Sequence, residues 1–439
     1  MLDIQFIRDN KEVVTKAAED KGMSFDIEKL LALDEERRSL LQEIEELNSL
    51  KNDINTLIQE SKSDGERSEV IAKGKEIKQK IDEREPLYLA VKSQWDALMV
   101  EVPNIISPDT PIGKSDAENV EVANTGELPQ FSFVPRTHIE LGEMLDIMDL
   151  EQGAKVSGYR GYYLKNEGAL LALAIVSYAT AKLAQNGYTP MIPPTLVKGF
   201  PLFGSGYFKG QEYNPEIDEV YQVANHDLGE AEKKEPKFLV GTAEPSLLAY
   251  YAGKILEETE LPVRLVGASQ CYRSEIGSYG KDTKGMYRVH EFQKVEQVVI
   301  TRADFDEANA LQEEMVGLSE AMHQELGLPY RKLQICSGDM SAGKYRAFDL
   351  EAWMPGLNRY GETGSASNFL DWQSRRLQIR YKETATGERK HVYMLNNTAL
   401  PVPRILIAIL ENYQQEDGSV VIPEVLRPYI GRDVIPVRK

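Results

Sequence analysis

The chain has 439 residues, with 51 Lys+Arg against 70 Asp+Glu, a formal net charge of −19, and 42% apolar residues. Such proportions describe a globular protein of about two to three domains rather than a disordered chain, and they exclude an indiscriminate, charge-driven nucleic-acid binder. Two cysteines, Cys271 and Cys336, make neither a disulfide framework nor an all-cysteine zinc site, which points to a reduced, cytoplasmic setting.

The opening MLDIQFIRDN is acidic where a signal peptide requires a basic and then an apolar region. From Ile27 to Glu101 the chain is dense in Glu, Lys, Leu and Ile. Leu33, Arg37, Leu40, Ile44, Leu47, Lys51, Ile54 and Ile58 alternate by four and three, a heptad seam with two polar interruptions. Turn formers at 61–69 break it, and it resumes with Val70, Gly74, Ile77, Ile81, Arg84, Tyr88, Val91, Trp95 and Leu98. Two such runs joined by one turn predict an antiparallel helical hairpin, with Pro86 expected to kink the second helix. Residues 26–101 carry 12 basic and 19 acidic side chains, yet Lys73, Lys75, Lys78 and Lys80 form a locally basic edge suited to phosphate contact.

Residues 102–113, VPNIISPDTPIG, read as a linker, so the expected division is 1–110 and 111–439. The most apolar run, Ala169–Val176, lies between Glu167 and Lys182, short of the ~20 residues that span a bilayer, and no membrane partner is expected. Beyond the linker, strand-like runs (FLVGTA, VEQVVI, KLQIC, RRLQIRY) mix with helical ones (GALLALAIVSYATAKLAQ, DFDEANALQEEMVGLSEAMHQ, PRILIAILENYQQ). This mixture predicts an α+β fold, an antiparallel sheet flanked by helices.

The richest segment is CYRSEIGSYGKDTKGMYRVHEFQKVEQVV, 271–299. Two strand-like ends flank a loop holding Gly277, Gly280, Lys281, Lys284 and Gly285. Arg273 stands before the loop and Arg288 after it, forks that suit a polyphosphate or a carboxylate. Phe292, four residues past Arg288, is expected on the same strand face, where it could stack a purine. There is no G-x-x-x-x-G-K-[ST] loop and no strand followed by G-x-G-x-x-G, so P-loop and Rossmann nucleotide sites are not supported.

That segment resembles motif 2 of the class II aminoacyl-tRNA synthetases, and in detail that of the seryl-tRNA synthetases. NGYTPMIPPTL (186–196) resembles motif 1, the dimer-interface segment, with Pro194 at its proline position. The run 396–431, which opens NNTALPVPRILIAILENYQQ, resembles motif 3 at about 396–413 and then the family's C-terminal signature. GTAEPSL (241–247) resembles the TAE loop. The long arm fits too, so the resemblance covers essentially the whole chain.

The resemblance implies a homodimeric, bacterial-type enzyme that activates L-serine with Mg·ATP and transfers it to tRNA(Ser), with tRNA(Sec) a further candidate acceptor. It assigns Thr242, Ala243, Glu244, Arg273, Glu296, Asn396 and Thr398 to serine, with Glu244 meeting the ammonium and Glu296 and Thr398 the hydroxyl. It assigns Arg273, Ser274, Glu275, Arg288, Val289, Phe292, Glu362, Thr363, Gly364, Ser365 and Arg404 to ATP. Glu362 and Ser365 would hold Mg²⁺, while Arg273, Arg404 and Glu362 would be the catalytic residues. The arm, through lysines such as Lys73–Lys80, would grip the long variable arm of the tRNA. No zinc is expected, since two scattered cysteines with five histidines do not suggest the zinc-dependent branch. The chain departs from commoner members at Asn397 and Pro403, where glycine is more usual, and at Gly364 and Ala366, where Ser and Cys are more frequent. Two alternatives stay open. One is a homologue that serves a carrier protein, which would lack the arm; the other is a non-catalytic coiled-coil protein, which would have lost the charged residues.

Overall fold

Asp26 and Ser63 start two long helices. The Asp26 carboxylate accepts from the Lys29 amide at 3.0 Å and the Ser63 hydroxyl from the Glu66 amide at 3.4 Å, satisfying donors that a helix start leaves without an internal partner. After two short helices, α1 (Ile4–Asp9) and α2 (Lys11–Asp20), these form α3 (Ile27–Glu60) and α4 (Asp64–Glu101). The 34 residues of α3 extend about 50 Å at 1.5 Å per residue. The computed structural model describes residues 1–61, 63–224, 235–276 and 284–438. They fall into one unit of Leu2–Glu19 and Met23–Val102, and another of Met1, Asp20–Gly22 and Pro103–Lys439.

In the first unit α3 and α4 pack along one another, burying Leu40, Ile44, Ile81 and Val91. Arg37 and Arg84, two of the polar residues in the seam, have partners. The Arg37 guanidinium lies 4.5 Å from the centre of the Trp95 ring and bonds Asp34 at 2.9 Å, and Arg84 reaches Glu43 at 3.0 Å. Asp34 is fully buried and also meets Arg8 at 3.3 Å and Arg38 at 3.1 Å, partners that offset the cost of burying a polar group. The expected turn at 61–69 is shorter than the sequence suggests. α4 already begins at Asp64, because Ser63 caps it and Asp64 and Glu66 favour the positive end of the helix. It also continues through Pro86, which sits on an exposed face.

The second unit is built on eight strands: β1 (Val120–Thr125), β2 (Thr189–Met191), β3 (Val263–Tyr272), β4 (Glu291–Thr301), β5 (Tyr330–Gln334), β6 (Arg346–Met354), β7 (Arg359–Asn368) and β8 (Tyr393–Pro401). Their order across the sheet is β1-β5-β6-β7-β8-β4-β3-β2. Every pairing is antiparallel except β2 with β3. Six helices matter for the site: α5 (His138–Met144), α6 (Asn166–Gln185), α7 (Glu244–Ala249), α8 (Phe305–Glu325), α9 (Trp372–Leu377) and α10 (Val402–Asn412). Leu171, Ile175 and Leu183 of α6, Met315 of α8 and Leu406 and Ile409 of α10 are buried in one core with Val299 of β4.

Two expectations change here. By length and composition α6 alone among the described helices could cross a membrane, but half of its apolar window is buried in the protein. The run Arg375–Tyr381, expected as a strand, is split between α9 and a short strand, Arg380–Lys382. Asp371 bonds Arg375 one turn on, at 2.8 Å, which favours helix, and Gln378 ends it at φ +55°. The linker is tied down rather than loose. Asn104, fully buried, bonds the carbonyls of Gly343 and Phe369 at 2.9 and 2.8 Å.

Candidate active site

At one end of the site, the segment Thr242–Glu244 leads into α7, where Pro245 in the first turn sacrifices no helical hydrogen bond. Thr242, Ala243 and Glu244 are all buried. Ala243 packs against β3 at Gly267, where a Cβ would come within 2.9 Å of it. The Glu244 carboxylate accepts from Gln373 Nε2 of α9 at 2.7 Å. Its pKa is pushed up to about 7, first by burial and then by the neighbouring Glu296, with Gln373, Asn396 and Lys294 acting the other way.

Glu296 lies on β4 and is 2% exposed, inside the site. Thr398 of β8 pairs directly opposite it and donates its hydroxyl to Glu296 Oε2 at 3.2 Å. Lys294, two residues before Glu296 and so on the same face, places its ammonium 2.5 Å from Glu296 Oε2 and 3.0 Å from Thr398 Oγ1. A bulge lets this happen: Val295 pairs with Leu400 and Glu296 with Thr398, leaving Ala399 as the extra residue on β8.

At the other end, Arg273, Ser274 and Glu275 follow β3. The Arg273 guanidinium sits 5.4 Å from the Phe292 ring centre and its Nε donates to the Gly241 carbonyl at 3.4 Å. Phe292 pairs across to Cys271 in the ladder, so Arg273 rather than Arg288 is its cationic neighbour. Arg288 precedes β4, which begins only at Glu291, so strand alternation does not govern it, yet Arg288 and Phe292 line the same cleft. Arg288 donates to Glu275 at 2.6 Å, and Glu275 takes φ +56°. The Ser274 hydroxyl is buried with no hydrogen-bond partner among the described residues, and Val289 is buried. Arg404, in the first turn of α10, donates to the Tyr287 carbonyl at 3.2 Å and to the Glu362 carbonyl at 3.0 Å, and stacks 4.6 Å from the Tyr287 ring centre. Arg273, Glu275, Tyr287, Arg288, Val289, Phe292 and Arg404 line one cleft with Lys294 and Thr398. Gly277, Gly280 and Lys281 lie outside the described residues.

Glu362 and Ser365 are three residues apart on β7, a spacing that would ordinarily turn them to opposite faces. A second bulge corrects this. Ser365 pairs with Asp349, Gly364 with Leu350 and Glu362 with Glu351, so Thr363 is extra. Thr363 is buried and bonds His323 Nε2 of α8 at 2.7 Å. Glu362 feels desolvation that would raise its pKa, but the guanidiniums of Arg404 and Arg273 outweigh it and hold the carboxyl below its ordinary range. Asp349 is pushed the other way by burial and by the Glu362 charge, and it interacts with the Ser365 hydroxyl. Its Oδ1 is buried without a hydrogen-bond partner among the described residues. The described residues hold no cluster of three or more His, Cys, Asp or Glu placed for a metal. Two carboxylates and a hydroxyl make an oxygen-only donor set, which fits a hard cation that also takes ligands from a polyphosphate.

Three of the four departures, Asn397, Pro403 and Gly364, have local reasons, and nothing in the structure explains Ala366. The Asn397 amide donates to Gln297 Oε1, Ser319 Oγ and the Met315 carbonyl at 2.6, 2.8 and 3.1 Å, tying the sheet to α8. Pro403 stands in the first turn of α10, a position open to proline. Gly364 lies where a Cβ would come within 3.3 Å of Leu350 Cβ and the Thr398 carbonyl.

The structure thus gathers Glu244, Glu296, Asn396 and Thr398 at one end of the site and the arginines and Glu362 at the other. Lys73, Lys75, Lys78 and Lys80 are exposed on α4, in the other unit, and Lys80 pairs with Glu76 at 2.7 Å. Sequence reasoning missed Lys294, Gln373, Tyr287 and Asp349. Period-two alternation back from Glu296 could have found Lys294. Nothing local marks Gln373, which reaches Glu244 from 129 residues away.

Comparison with known proteins finds two family matches along the chain. Residues 1–106 match the family described as Seryl-tRNA synthetase N-terminal domain, and residues 221–413 match the tRNA synthetase class II core domain (G, H, P, S and T). The chain is 40% identical to a serine–tRNA ligase of Borreliella burgdorferi and 39% identical to one of Rubrobacter xylanophilus, in each case over the full length of both chains. Among solved structures, a seryl-tRNA synthetase from Pyrococcus horikoshii complexed with ATP superposes with a TM-score of 0.89 at 36% identity over all of both chains. The cytoplasmic serine–tRNA ligase of Naegleria fowleri in complex with AMP gives 0.86 at 30% identity over all of this chain and 99% of that one.

Proposed function

Because the chain belongs to the seryl-tRNA synthetase family of class II, we propose a division of labour among its residues for making seryl-adenylate. The enzyme activates serine with ATP and passes the seryl group to tRNA. A serine carboxylate oxygen attacks the α-phosphorus of ATP, the bond to the β-phosphate breaks and pyrophosphate leaves. The terminal adenosine hydroxyl of the tRNA then takes the seryl group and AMP leaves.

Glu244 receives the serine ammonium, and Glu296 accepts a hydrogen bond from the serine hydroxyl. Lys294 and Thr398 hold the Glu296 carboxylate in place. The observation that carries this reading is the buried Lys294–Glu296–Thr398 triangle facing Glu244, polar groups that an alanine substrate would leave unpaired. Arg273 bridges the serine carboxylate and the α-phosphate as negative charge builds there. Val289 and Phe292 hold the adenine, Glu275 its amino edge, and Arg288 and Arg404 the outer phosphates. Glu362 and Ser365 hold Mg²⁺, with Asp349 beside them, and the ion supplies neutralisation of the polyphosphate charge. No protein nucleophile is needed; catalysis is positioning and electrostatics.

The arm of α3 and α4 binds the long variable arm of tRNA(Ser), with Lys73, Lys75, Lys78 and Lys80 reaching phosphates. A second copy covers the apolar face where Leu173 of α6 stands exposed beside Tyr159 and Tyr221, around a hollow of 620 Å³. Apolar patches of this kind mark association surfaces. The cytoplasm is the compartment that supplies tRNA and ATP, and both cysteines are unpaired and buried. Serine-dependent ATP–pyrophosphate exchange run in parallel with serine, threonine, alanine and cysteine tests the pocket. Serine is expected to dominate, and equal exchange with alanine overturns the assignment of the triangle.

A further inference from the structure

Away from the residues that face the substrates, one buried pair touches three of the elements that carry them. His138, the first residue of α5, is 1% exposed and Glu411, near the end of α10, is fully buried. The Glu411 carboxylate accepts four times. Its Oε1 takes the His138 amide and His138 Nδ1, each at 2.9 Å, while Oε2 takes the amides of Gly356 and Leu357 at 3.0 and 3.3 Å. On the far side of the ring, Nε2 accepts from the Met286 amide at 3.3 Å. A ring nitrogen that accepts carries no proton, so the network assigns the proton to Nδ1. Gly285 permits this approach: it takes φ +73°, and a Cβ there would lie 2.1 Å from His138 Nε2.

Each bonded backbone leads to the ATP end of the site. Met286 precedes Tyr287, whose carbonyl accepts from Arg404 and whose hydroxyl accepts from the Glu362 amide at 3.0 Å, and then Arg288 and Val289. Gly356 and Leu357 lie in the turn between β6 and β7, and β7 carries Glu362. Glu411 sits on α10 with Arg404, about 10 Å along it at two helical turns and on the same face.

We propose that His138, held by Glu411, is a positioning residue for ATP: it anchors the Met286 amide and thereby sets Tyr287, Arg404 and Glu362 in register. This rests on the reading of that cleft as the ATP end. It goes beyond that reading because neither His138 nor Glu411 faces the cleft.

The test uses two variants of the full-length enzyme in serine-dependent pyrophosphate exchange. His138→Asn keeps an amide donor near Glu411 but offers no acceptor to Met286. Gly285→Ala perturbs the same contact from the loop side. Both are expected to raise KM for ATP about tenfold, the scale of one lost hydrogen bond, while KM for serine stays within about twofold. Wild-type KM for ATP in a folded variant overturns the proposal. So does an equal rise of both KM values, or a fall in kcat alone, which general destabilisation would give. If His138→Asn does not fold, Gly285→Ala decides alone. Absence of serine-dependent exchange in the wild type would instead overturn the reading of the cleft.

Discussion

If the serine ammonium meets Glu244 as proposed, the carboxyl's pKa of about 7 predicts that serine binding is proton-linked. Serine's ammonium needs the ionised carboxylate, so below pH 7 binding must expel a proton from Glu244. The apparent Kd scales as one plus the ratio of protonated to ionised Glu244, about 1.1 at pH 8, 2 at pH 7 and 11 at pH 6. Serine should therefore bind about tenfold more weakly at pH 6 than at pH 8, and release about 0.9 proton at pH 6 against about 0.1 at pH 8. Isothermal titration calorimetry in buffers of different ionisation enthalpy measures both quantities. The sign for stability comes from the same shift. Between the ordinary value of 4.5 and the folded value of about 7 the unfolded chain ionises Glu244 and the folded one does not. Stability without serine therefore falls as pH rises through that window, by up to about 3 kcal/mol. Affinity independent of pH from 6 to 8, with no proton release, would refute the placement of Glu244 against the ammonium.

Four other outcomes are expected. Arg273→Ala should lower serine-dependent pyrophosphate exchange by at least about 100-fold, and wild-type exchange in that variant would remove Arg273 from the chemistry. Excising residues 35–95 should leave exchange intact and abolish tRNA charging, measured as acid-stable seryl-tRNA; normal charging would free the arm of its role. Asn397→Gly deletes an amide that makes three hydrogen bonds, so unfolding free energy should drop by about 2–3 kcal/mol, visible as a lower thermal midpoint. Leu173→Glu places a charge on an exposed apolar face and should yield monomers in sedimentation velocity, whereas an unchanged dimer would move the interface elsewhere.

The arm was readable because it is governed by local rules. Its heptad seam, its caps at Asp26 and Ser63 and the turn between them all lie within a few residues of what they control. Even there Arg37 read as an interruption, and only the fold shows Trp95 and Asp34 receiving it. In the catalytic unit, Arg273, Glu275, Arg288, Glu362 and Arg404 stood out in sequence as charges in recognisable motifs. What those charges touch did not.

The family, the antiparallel α+β plan, the arm and the kinds of group available for binding serine and ATP were all legible in the amino-acid order, because they depend on residue type and short-range spacing. Which of those groups converge is a property of the folded chain alone. The extra residues Ala399 and Thr363 each reset the alternation of a strand, bringing Thr398 opposite Glu296 and turning Glu362 to the side of Ser365. Folding also delivered Lys294, Gln373 and Asp349 to the site and placed His138 under Met286. Strand register and bulges are set by packing between segments far apart in the chain, and no local pattern carries that information.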